Sequence, residues 1–386
     1  MALVQYYKSH FPAELICNWL RSNKNEDSDN LNRREIAFTL ENEVFLRYLS
    51  FQDAEALRTE LIKKKPQKIH IGPAYTESIN SFRLVGKSGV PIKKELVFDI
   101  DLTDYEEIRS CCSGAKICDK CWNFINVAIE VISDILIKDF NALKFVWVFS
   151  GRRGVHCWIS DEIMKNLNNE ARSTITDYFN VFDSDRNLEN NIFSNRSFVN
   201  ENKLKEVSLH PTFERVYQIM KNWFVSKILK EQILSDQKSI DKFLSFIECN
   251  ILKTKINDAI KSNSFATHIE LWREIEEKII PDYYNSSKKT SATKLIKEIV
   301  FRYCYPRLDL NVTKSLTHLL KVPFCIHPST QLVCVPIDHR NLSKFDFKSV
   351  PSLKDMSNEG ANKENQNFSE NLKNYIDFFN HFVSSL

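Results

Sequence analysis

One segment, residues 94–102 with the sequence KELVFDIDL, constrains the fold more than any other part of the chain. Its apolar and polar residues alternate, and a period of two predicts a β-strand. One face would be apolar and would pack against a core, with Leu96, Phe98, Ile100 and Leu102. The other face would carry Glu95, Val97, Asp99 and Asp101.

The spacing of Asp99 and Asp101 allows two explanations. On a strand that rises about 3.3 Å per residue, the two carboxylates lie roughly 6–7 Å apart, and such a pair repels unless a cation lies between them. Mg²⁺ takes oxygen ligands and leaves room for substrate phosphates, so the pair could hold a metal ion. Alternatively, the two acids are solvated on an exposed face, which is sufficient to explain an isolated D-x-D.

The composition is that of a folded globular protein. Hydrophobic residues make up 43% and charged residues 27% of 386 positions, which is enough for a large core and two domains. The net charge of +3 gives no sign of a nucleic-acid partner, although acidic and basic patches can cancel in the total. Without an apolar run of 18 residues or a signal peptide, we expect a soluble intracellular protein with reduced cysteines.

Hydrophobic periodicity predicts both helices and strands. The predicted helices span residues 4–20 (divided at Pro12), 53–64, 122–137 and 371–382. The predicted strands span residues 35–40, 44–48, 68–72, 94–102 and 145–149, and the last continues through a tight turn into a return strand ending at residue 160. Helical patterns fill residues 161–298. Strand and turn signals return at residues 305–310 and in a hairpin at residues 324–337. Polar segments predict linkers or loops at residues 22–32, 183–202 and 354–370.

Four cysteines lie within eleven positions, in the pattern C-C-x5-C-x2-C: Cys111, Cys112, Cys118 and Cys121. Their thiolates could close a tetrahedral zinc site, with an iron–sulfur centre as the rival metal and free thiols as the simplest alternative. The other six cysteines stand in apolar surroundings and are interpreted as core residues: Cys17, Cys157, Cys249, Cys304, Cys325 and Cys334.

Two further motifs concentrate charge. SGRRGVH places Ser150, Arg152, Arg153 and His156 at a strand end, and arginine forks match phosphate oxygens, although a solvated basic hairpin explains the motif as well. YPRLD adds Arg307 and a third carboxylate, Asp309. Beyond it, Lys314, His318 and Lys321 recur at the spacing of one face of a short helix, and His327 follows in the next hairpin.

Together these motifs resemble the archaeo-eukaryotic primase family, and within it the catalytic small subunits of eukaryotic DNA primases. The resemblance is carried by REIAFTL, KELVFDIDLTDYEE, CCSGAKICDKCW, VWVFSGRRGVHCW and YPRLDLNVTKSLTHLLKVPFCIHP, in family order and near family spacing. It covers roughly residues 1–165 and 300–345. The helical middle matches in position and character only, and the C-terminal tail hardly at all.

The resemblance implies an α/β (α+β) fold with a mixed-sheet catalytic core flanked by helices. Residues 1–165 and 296–350 would form this core, with a small zinc-binding module at about 108–123. Residues 166–295 would form an inserted all-helical subdomain. Residues 351–370 would be a flexible polar linker, and residues 371–386 a C-terminal helix.

The resemblance also assigns roles to the motif residues. Asp99, Asp101 and Asp309 would be catalytic and hold two Mg²⁺ or Mn²⁺ ions, and Glu35, also catalytic, would be needed to start a primer. The nucleotide would be bound by Arg47, Lys68, Ser150, Arg152, Arg153, His156, Arg307, His318, Lys321 and His327. One structural Zn²⁺ would be held by Cys111, Cys112, Cys118 and Cys121. His70 replaces the aspartate that relatives usually carry beside the ribose, so sugar discrimination is left open.

The implied activity is template-directed, de novo synthesis of short RNA primers on single-stranded DNA from ribonucleoside triphosphates, by two-metal nucleotidyl transfer. The implied partners are a large primase subunit and the DNA polymerase alpha complex, in the nucleus and without a membrane. The alternatives are a non-catalytic zinc-containing nucleic-acid-binding subunit and a related polymerase that extends existing primers. Three aspartates argue against the first alternative, because an anion cluster beside DNA phosphates is unfavourable without metal ions.

Overall fold

A computed structural model describes residues 2–21, 31–85, 89–181, 209–262, 264–284, 289–358 and 367–386. Most of the predicted linker at 22–32 and the whole polar stretch at 183–202 lie outside these ranges. In the part of the chain that the structure describes, no helix combines the length and the apolar character needed to cross a lipid bilayer.

The described residues form both helices and strands, which confirms the predicted mixed class. The helices are α1 Ala2–Ser9, α2 Ala13–Leu20, α3 Ala54–Lys64, α4 Ile79–Val85, α5 Asp119–Phe140, α6 Glu162–Lys165, α7 Asn169–Phe179, α8 Pro211–Trp223, α9 Gln237–Ser245, α10 Asn250–Lys261, α11 His268–Glu274, α12 Ile280–Tyr284, α13 Lys289–Cys304, α14 Leu310–Lys314, α15 Leu353–Asn358 and α16 Asn367–Ser384. The strands are β1 Arg34–Thr39, β2 Phe45–Leu49, β3 Lys68–Tyr75, β4 Pro91–Lys93, β5 Leu96–Asp101, β6 Phe145–Phe149, β7 Gly154–Ile159, β8 Leu320–Lys321 and β9 Pro336–Ile337.

The strands form two sheets. One has the order β2-β1-β3-β4, with β8 also paired to β3, and the other has the order β5-β7-β6-β9. Every pair with an assigned register is antiparallel. Antiparallel neighbours need only short connections, as in the β6–β7 hairpin.

The periodic segments were predicted best, since Pro12 separates α1 from α2 and the strands begin and end close to their predicted limits. Two predictions at the C-terminal side were wrong. Residues 305–309 form no strand, and the predicted helix through Lys314, His318 and Lys321 ends at Lys314 because Ser315 has an extended backbone. Residues 353–358 of the predicted linker form α15, residues 359–366 lie outside the described ranges, and α16 begins at Asn367.

The apolar face of β5 is buried as predicted. Leu96, Phe98, Ile100 and Leu102 are fully buried. The ring of Phe98 lies 4.7 Å from that of Phe179 on α7. Burial of a side chain of this size contributes roughly 1.5–3 kcal/mol, so the strand is firmly fixed.

The chain divides into two compact units. Unit 1 consists of residues 1–100, 142–179 and 309–386, and unit 2 of residues 101–141 and 180–308. Unit 1 contains β1 to β4, β5 up to Ile100, and β6 to β9. Unit 2 contains the four clustered cysteines and helices α5 and α8 to α13. The division falls at other positions than the predicted domain boundaries, which stay a prediction.

A buried group of charges lies at the start of β5, in unit 1. Glu95 is 2% exposed and forms an ion pair with Arg34 of β1, which is 4% exposed. Burial raises the pKa of the Glu95 carboxyl, but the Arg34 guanidinium outweighs it and the pKa is lowered. Arg172 of α7 donates hydrogen bonds to the main-chain oxygens of Lys94 and Glu95, so β1, α7 and β5 are joined at this point.

We predict that Glu95→Gln lowers the free energy of unfolding by roughly 3–5 kcal/mol at pH 7, because Arg34 stays buried without its counter-ion. Denaturant unfolding measures this loss. Glu60→Gln, which breaks an exposed pair with Lys63, should cost at most about 1 kcal/mol. Since the folded pKa of Glu95 is lowered, the difference should persist above pH 4.5 and shrink as the pH falls through the folded pKa.

Candidate active site and metal centre

Asp99 and Asp309 meet although they are far apart in the sequence. The amide of Asp309 donates a hydrogen bond of 3.1 Å to the main-chain oxygen of Asp99 on β5. Asp309 caps α14, since its carboxylate accepts from the Asn311 amide at 3.1 Å, and the side chain is exposed. The third predicted carboxylate is therefore held at the Asp99 end of the strand.

The segment after Asp309 follows β5 in the reverse direction. Thr313 Oγ1 donates to the main-chain oxygen of Val97 at 2.7 Å, and Lys94 Nζ donates to the main-chain oxygen of His318. With the Asp309–Asp99 contact, three hydrogen bonds fasten this segment along the strand. The fastening explains why α14 is short, since a longer helix would carry His318 away from Lys94.

Asp101 ends β5 and also caps the turn that follows. Its Oδ1 accepts hydrogen bonds from the amide of Thr103 at 2.9 Å and from its hydroxyl at 2.8 Å. Asp99 lies near a second predicted residue, because its Oδ1 is 3.6 Å from Nε2 of His156 on β7. The two aspartates of the D-x-D motif are thus each partly buried and held by neighbours.

The SGRRG motif forms a tight turn between β6 and β7. The Ser150 amide donates to the Gly154 carbonyl at 2.9 Å, and Ser150 Oγ accepts from the Gly154 amide at 3.2 Å. Gly151 has φ +84°, and a Cβ there would lie 2.7 Å from Cβ of His327. Glycine alone both adopts this positive φ readily and lacks the Cβ that would collide with His327. The turn and the hairpin that carries His327 are therefore closely packed.

Lys321 joins this turn to the other sheet. It lies on β8 opposite His70 of β3, and its Nζ donates to the main-chain oxygen of Ser150. Lys68 also lies on β3, where it forms an ion pair of 3.4 Å with the exposed Glu43. Lys321, Lys68 and the two arginines of the turn come from separate parts of the sequence, and all four act on the pKa of His327.

Two histidines report on the charge in this region. The pKa of His327 is lowered to about 3, first by burial and then by the charges of Lys321, Arg152, Lys68 and Arg153. The pKa of His70 is lowered to about 4, first by burial and then by the charges of Lys68, Lys321 and His318. Both imidazoles are neutral at pH 7 in a strongly positive environment, which suits a polyanionic ligand such as a triphosphate.

Glu35 occupies an environment that the sequence did not indicate. It lies opposite the apolar set of β1, as predicted, but this face is buried and Glu35 is fully inaccessible. Arg47 donates to it twice, from Nε at 2.9 Å and from Nη2 at 3.2 Å, and Tyr75 donates from its hydroxyl at 2.9 Å. This arrangement orients Arg47, and the hydrogen bond to Glu35 raises the pKa of the Arg47 guanidinium.

Two other predicted nucleotide contacts have separate environments. Arg307 belongs to unit 2, where it forms an ion pair of 3.2 Å with Glu107 and donates to the main-chain oxygen of Asp104 at 2.9 Å. His318, in unit 1, is half-buried; burial and Lys94 lower its pKa, and Asp309 opposes them. His318 is therefore close enough to both Lys94 and Asp309 to sense their charges.

The four clustered cysteines fit a zinc ion. Their sulfur atoms lie within 4.8 Å of one another, and within the described ranges no other group of three or more His, Cys, Asp or Glu comes so close. Cys118 Sγ and Cys121 Sγ are 3.9 Å apart, and Zn–S bonds of about 2.3 Å in a tetrahedron require about 3.8 Å. Four sulfurs fill the coordination shell, so the site fits a structural zinc.

The remaining cysteines are free thiols, and none of the ten forms a disulfide. Five of the six predicted core cysteines are buried. The prediction was wrong for Cys249, which is half-buried at the start of α10 and donates its thiol to the Tyr283 hydroxyl at 2.9 Å.

Gln232 is a residue of the metal centre that sequence reasoning missed. It lies in a π-helical segment, Phe224–Ile233, and is 1% exposed. Its Nε2 donates to Cys111 Sγ at 3.3 Å, and its Oε1 accepts from the Ser110 amide at 3.0 Å. A single glutamine in an amphipathic helix gives no sign of this role, which depends on a contact across more than a hundred positions.

We predict that Cys118→Ser loses its zinc and melts several degrees lower, because one of four ligands is weakened. Metal analysis and thermal melting measure both effects. Gln232→Leu should keep the metal but release it to a chelator about tenfold faster, since outer-shell partners tune metal affinity by roughly 10–100-fold. Gln237→Leu on α9 is the control for Gln232→Leu. An unchanged zinc content and melting temperature in Cys118→Ser would contradict the assignment of a structural zinc site to the four cysteines.

Comparison with known proteins yields one family. A profile of the family described as "DNA primase small subunit" matches residues 98–339. A protein named DNA primase small subunit from Schizosaccharomyces pombe is 34% identical, and the alignment covers 95% of this chain and 79% of that protein. The protein of the same name from Saccharomyces cerevisiae is 35% identical over 99% of this chain and 90% of its own length. The one from Drosophila melanogaster is 34% identical over 92% of this chain and 80% of its own length.

Proposed function

Since the chain belongs to the DNA primase small subunit family, we propose that it is the catalytic subunit of a primase. It would synthesise short RNA primers de novo on single-stranded DNA from ribonucleoside triphosphates. The observation that carries this proposal lies in unit 1. There a main-chain hydrogen bond joins Asp309 to Asp99, and a cluster of cations surrounds His327.

The aspartates offer the oxygen ligands that Mg²⁺ and Mn²⁺ prefer. Asp99, Asp101 and Asp309 would hold the ions, which would activate the attacking 3′-hydroxyl and neutralise the leaving pyrophosphate. The main-chain contact that brings Asp309 to Asp99 favours a metal-binding role for the D-x-D pair over the alternative of two solvated surface acids.

The cations around the SGRRG turn would bind the triphosphate in place of water. Arg152 and Arg153 offer planar forks, Lys321 is fixed by Ser150, and the neutral His327 can donate a hydrogen bond without a charge of its own. Charges fixed before the reaction stabilise a developing anion without further reorganisation. The base would be selected by pairing with the template rather than by side chains.

Glu35 would act through Arg47. Its carboxylate already accepts from Arg47, from Tyr75 and from the amide of Tyr48, so it is not available as an acid or a metal ligand. The pair uses Nε and Nη2 of Arg47, and Nη1 has no protein partner recorded among the described residues. Arg47 would offer that nitrogen to a phosphate of the initiating nucleotide.

As a primase subunit, the chain would work in the nucleus with a large primase subunit and the DNA polymerase alpha complex. The two alternatives differ from this proposal in one assay. A non-catalytic binding subunit makes no RNA at all, whereas a primer-extending polymerase makes product only when a primer is supplied.

The test is synthesis on oligo(dT) with ATP and Mg²⁺ or Mn²⁺ and no primer. We expect short oligoadenylates from the wild type and a loss of at least about a thousandfold in Asp99→Asn and Asp309→Asn, because removing a charge that holds the metal removes its stabilisation of the transition state. Asp241→Asn, on the surface helix α9, should retain activity. Undiminished synthesis in either site variant overturns the proposal.

We further predict that Glu35→Gln and Arg47→Lys each reduce unprimed synthesis about tenfold or more while primed extension changes little. Arg47 loses its fixed orientation in the first variant and its fork in the second. The double variant should be no worse than Arg47→Lys alone, because the two residues act as one unit. Glu41→Gln, in the exposed turn before β2, is the control, and additive losses would show that Glu35 acts independently of Arg47.

A further inference from the structure

Lys94 is an unusual residue for its position. It connects β4 to β5 and is fully buried, with no exposed surface. Its amide donates to the main-chain oxygen of Lys165 at 3.1 Å, and its main-chain oxygen accepts from Arg172. The backbone is thereby fixed on both sides, so the direction of the side chain is fixed as well.

The charges around Lys94 do not favour an ammonium group. Burial, together with Arg172 of α7 and Arg34 of β1, lowers its pKa to about 7, although Glu95 and Glu35 act in the opposite direction. Glu95 already forms its ion pair with Arg34. A buried apolar side chain of similar volume would generally be at least as stable, so stability alone does not account for a lysine here.

Among the residues that the structure describes, the Lys94 side chain makes one hydrogen bond, and this bond leads to the candidate active site. Nζ donates to the main-chain oxygen of His318. The same segment is held by the Leu316 amide, which donates to Asn169 Oδ1 at 2.9 Å, and it continues into Lys321, which contacts the SGRRG turn through Ser150. Lys94 therefore supports from inside the protein a segment whose outer side carries His318 and Lys321.

We propose that Lys94 is a positioning residue of the nucleotide site, which sets the affinity for the nucleoside triphosphate by fixing the main chain at His318. It touches no reacting atom. Without its hydrogen bond the His318 carbonyl loses its partner, and the segment between Thr313 and Lys321 can shift relative to β5. Since a nucleotide is bound by groups held in place beforehand, such a shift raises KM more than it lowers kcat.

This inference rests on the proposed primase activity and is tested in the same unprimed assay. Lys94→Met removes the donor and keeps the volume. We expect KM for ATP to rise about tenfold, which corresponds to one lost hydrogen bond, while kcat stays within about twofold. Lys93→Met is the matched control, because Lys93 is 2% exposed and pairs with Glu162 of α6.

A double-mutant cycle separates positioning from a general structural effect. The rise in KM of Lys94→Met combined with His318→Ala should be smaller than the product of the single effects, because Lys94 acts partly through His318. Should Lys94→Met fail to fold, Lys94→Gln, with a shorter donor, carries the same expectation for KM.

Three results overturn the inference: an unchanged KM, an equal rise in Lys93→Met, or fully multiplicative effects in the cycle. A wild type that makes no unprimed RNA refutes the proposed function instead. The two failures are therefore distinguishable.

Discussion

The hydrogen bond from the Asp309 amide to the Asp99 carbonyl is the contact on which the candidate site depends. The D-x-D motif and the third aspartate lie in separate parts of the sequence, and this contact brings them together. Because the contact is between main-chain atoms, it does not depend on the two carboxylates, and it fixes the direction of the segment that follows. Thr313 and Lys94 then keep this segment along β5, so one strand organises both the carboxylates and part of the nucleotide site.

A second constraint is the concentration of positive charge in unit 1. Lys68, Arg152, Arg153 and Lys321 all lower the pKa of His327, so they share one region. Like charges brought together cost free energy in the folded protein. A concentration of cations of this kind is typical of a site that binds an anion. Arg47, in contrast, is paired with Glu35, which keeps that arginine in a defined orientation.

The sequence predicted what depends on local period and spacing. The faces of β5, the β6–β7 hairpin and the four cysteines follow from alternation, glycine positions and ligand spacing. It did not predict what depends on distant partners. Whether Glu35 faces solvent or Arg47, whether residues 315–321 stay helical, and what Gln232 contacts are decided by elements far away in the chain. Lys94 belongs to this second group, since within KELVFDIDL it is indistinguishable from a solvated lysine at a strand end.

The neutral histidines would couple the proposed nucleotide binding to proton uptake. Burial and the cations around them lower the pKa values of His327 and His70 to about 3 and about 4. A triphosphate bound as proposed would raise both pKa values, because its negative charge offsets those cations, and the occupied site would then hold a larger share of protons at mildly acidic pH than the empty one. By linkage, the affinity would increase as the pH falls towards these raised values, and the heat of binding would depend on the ionisation enthalpy of the buffer. The cations of the proposed site would thus couple its occupancy to the acidity of the solution.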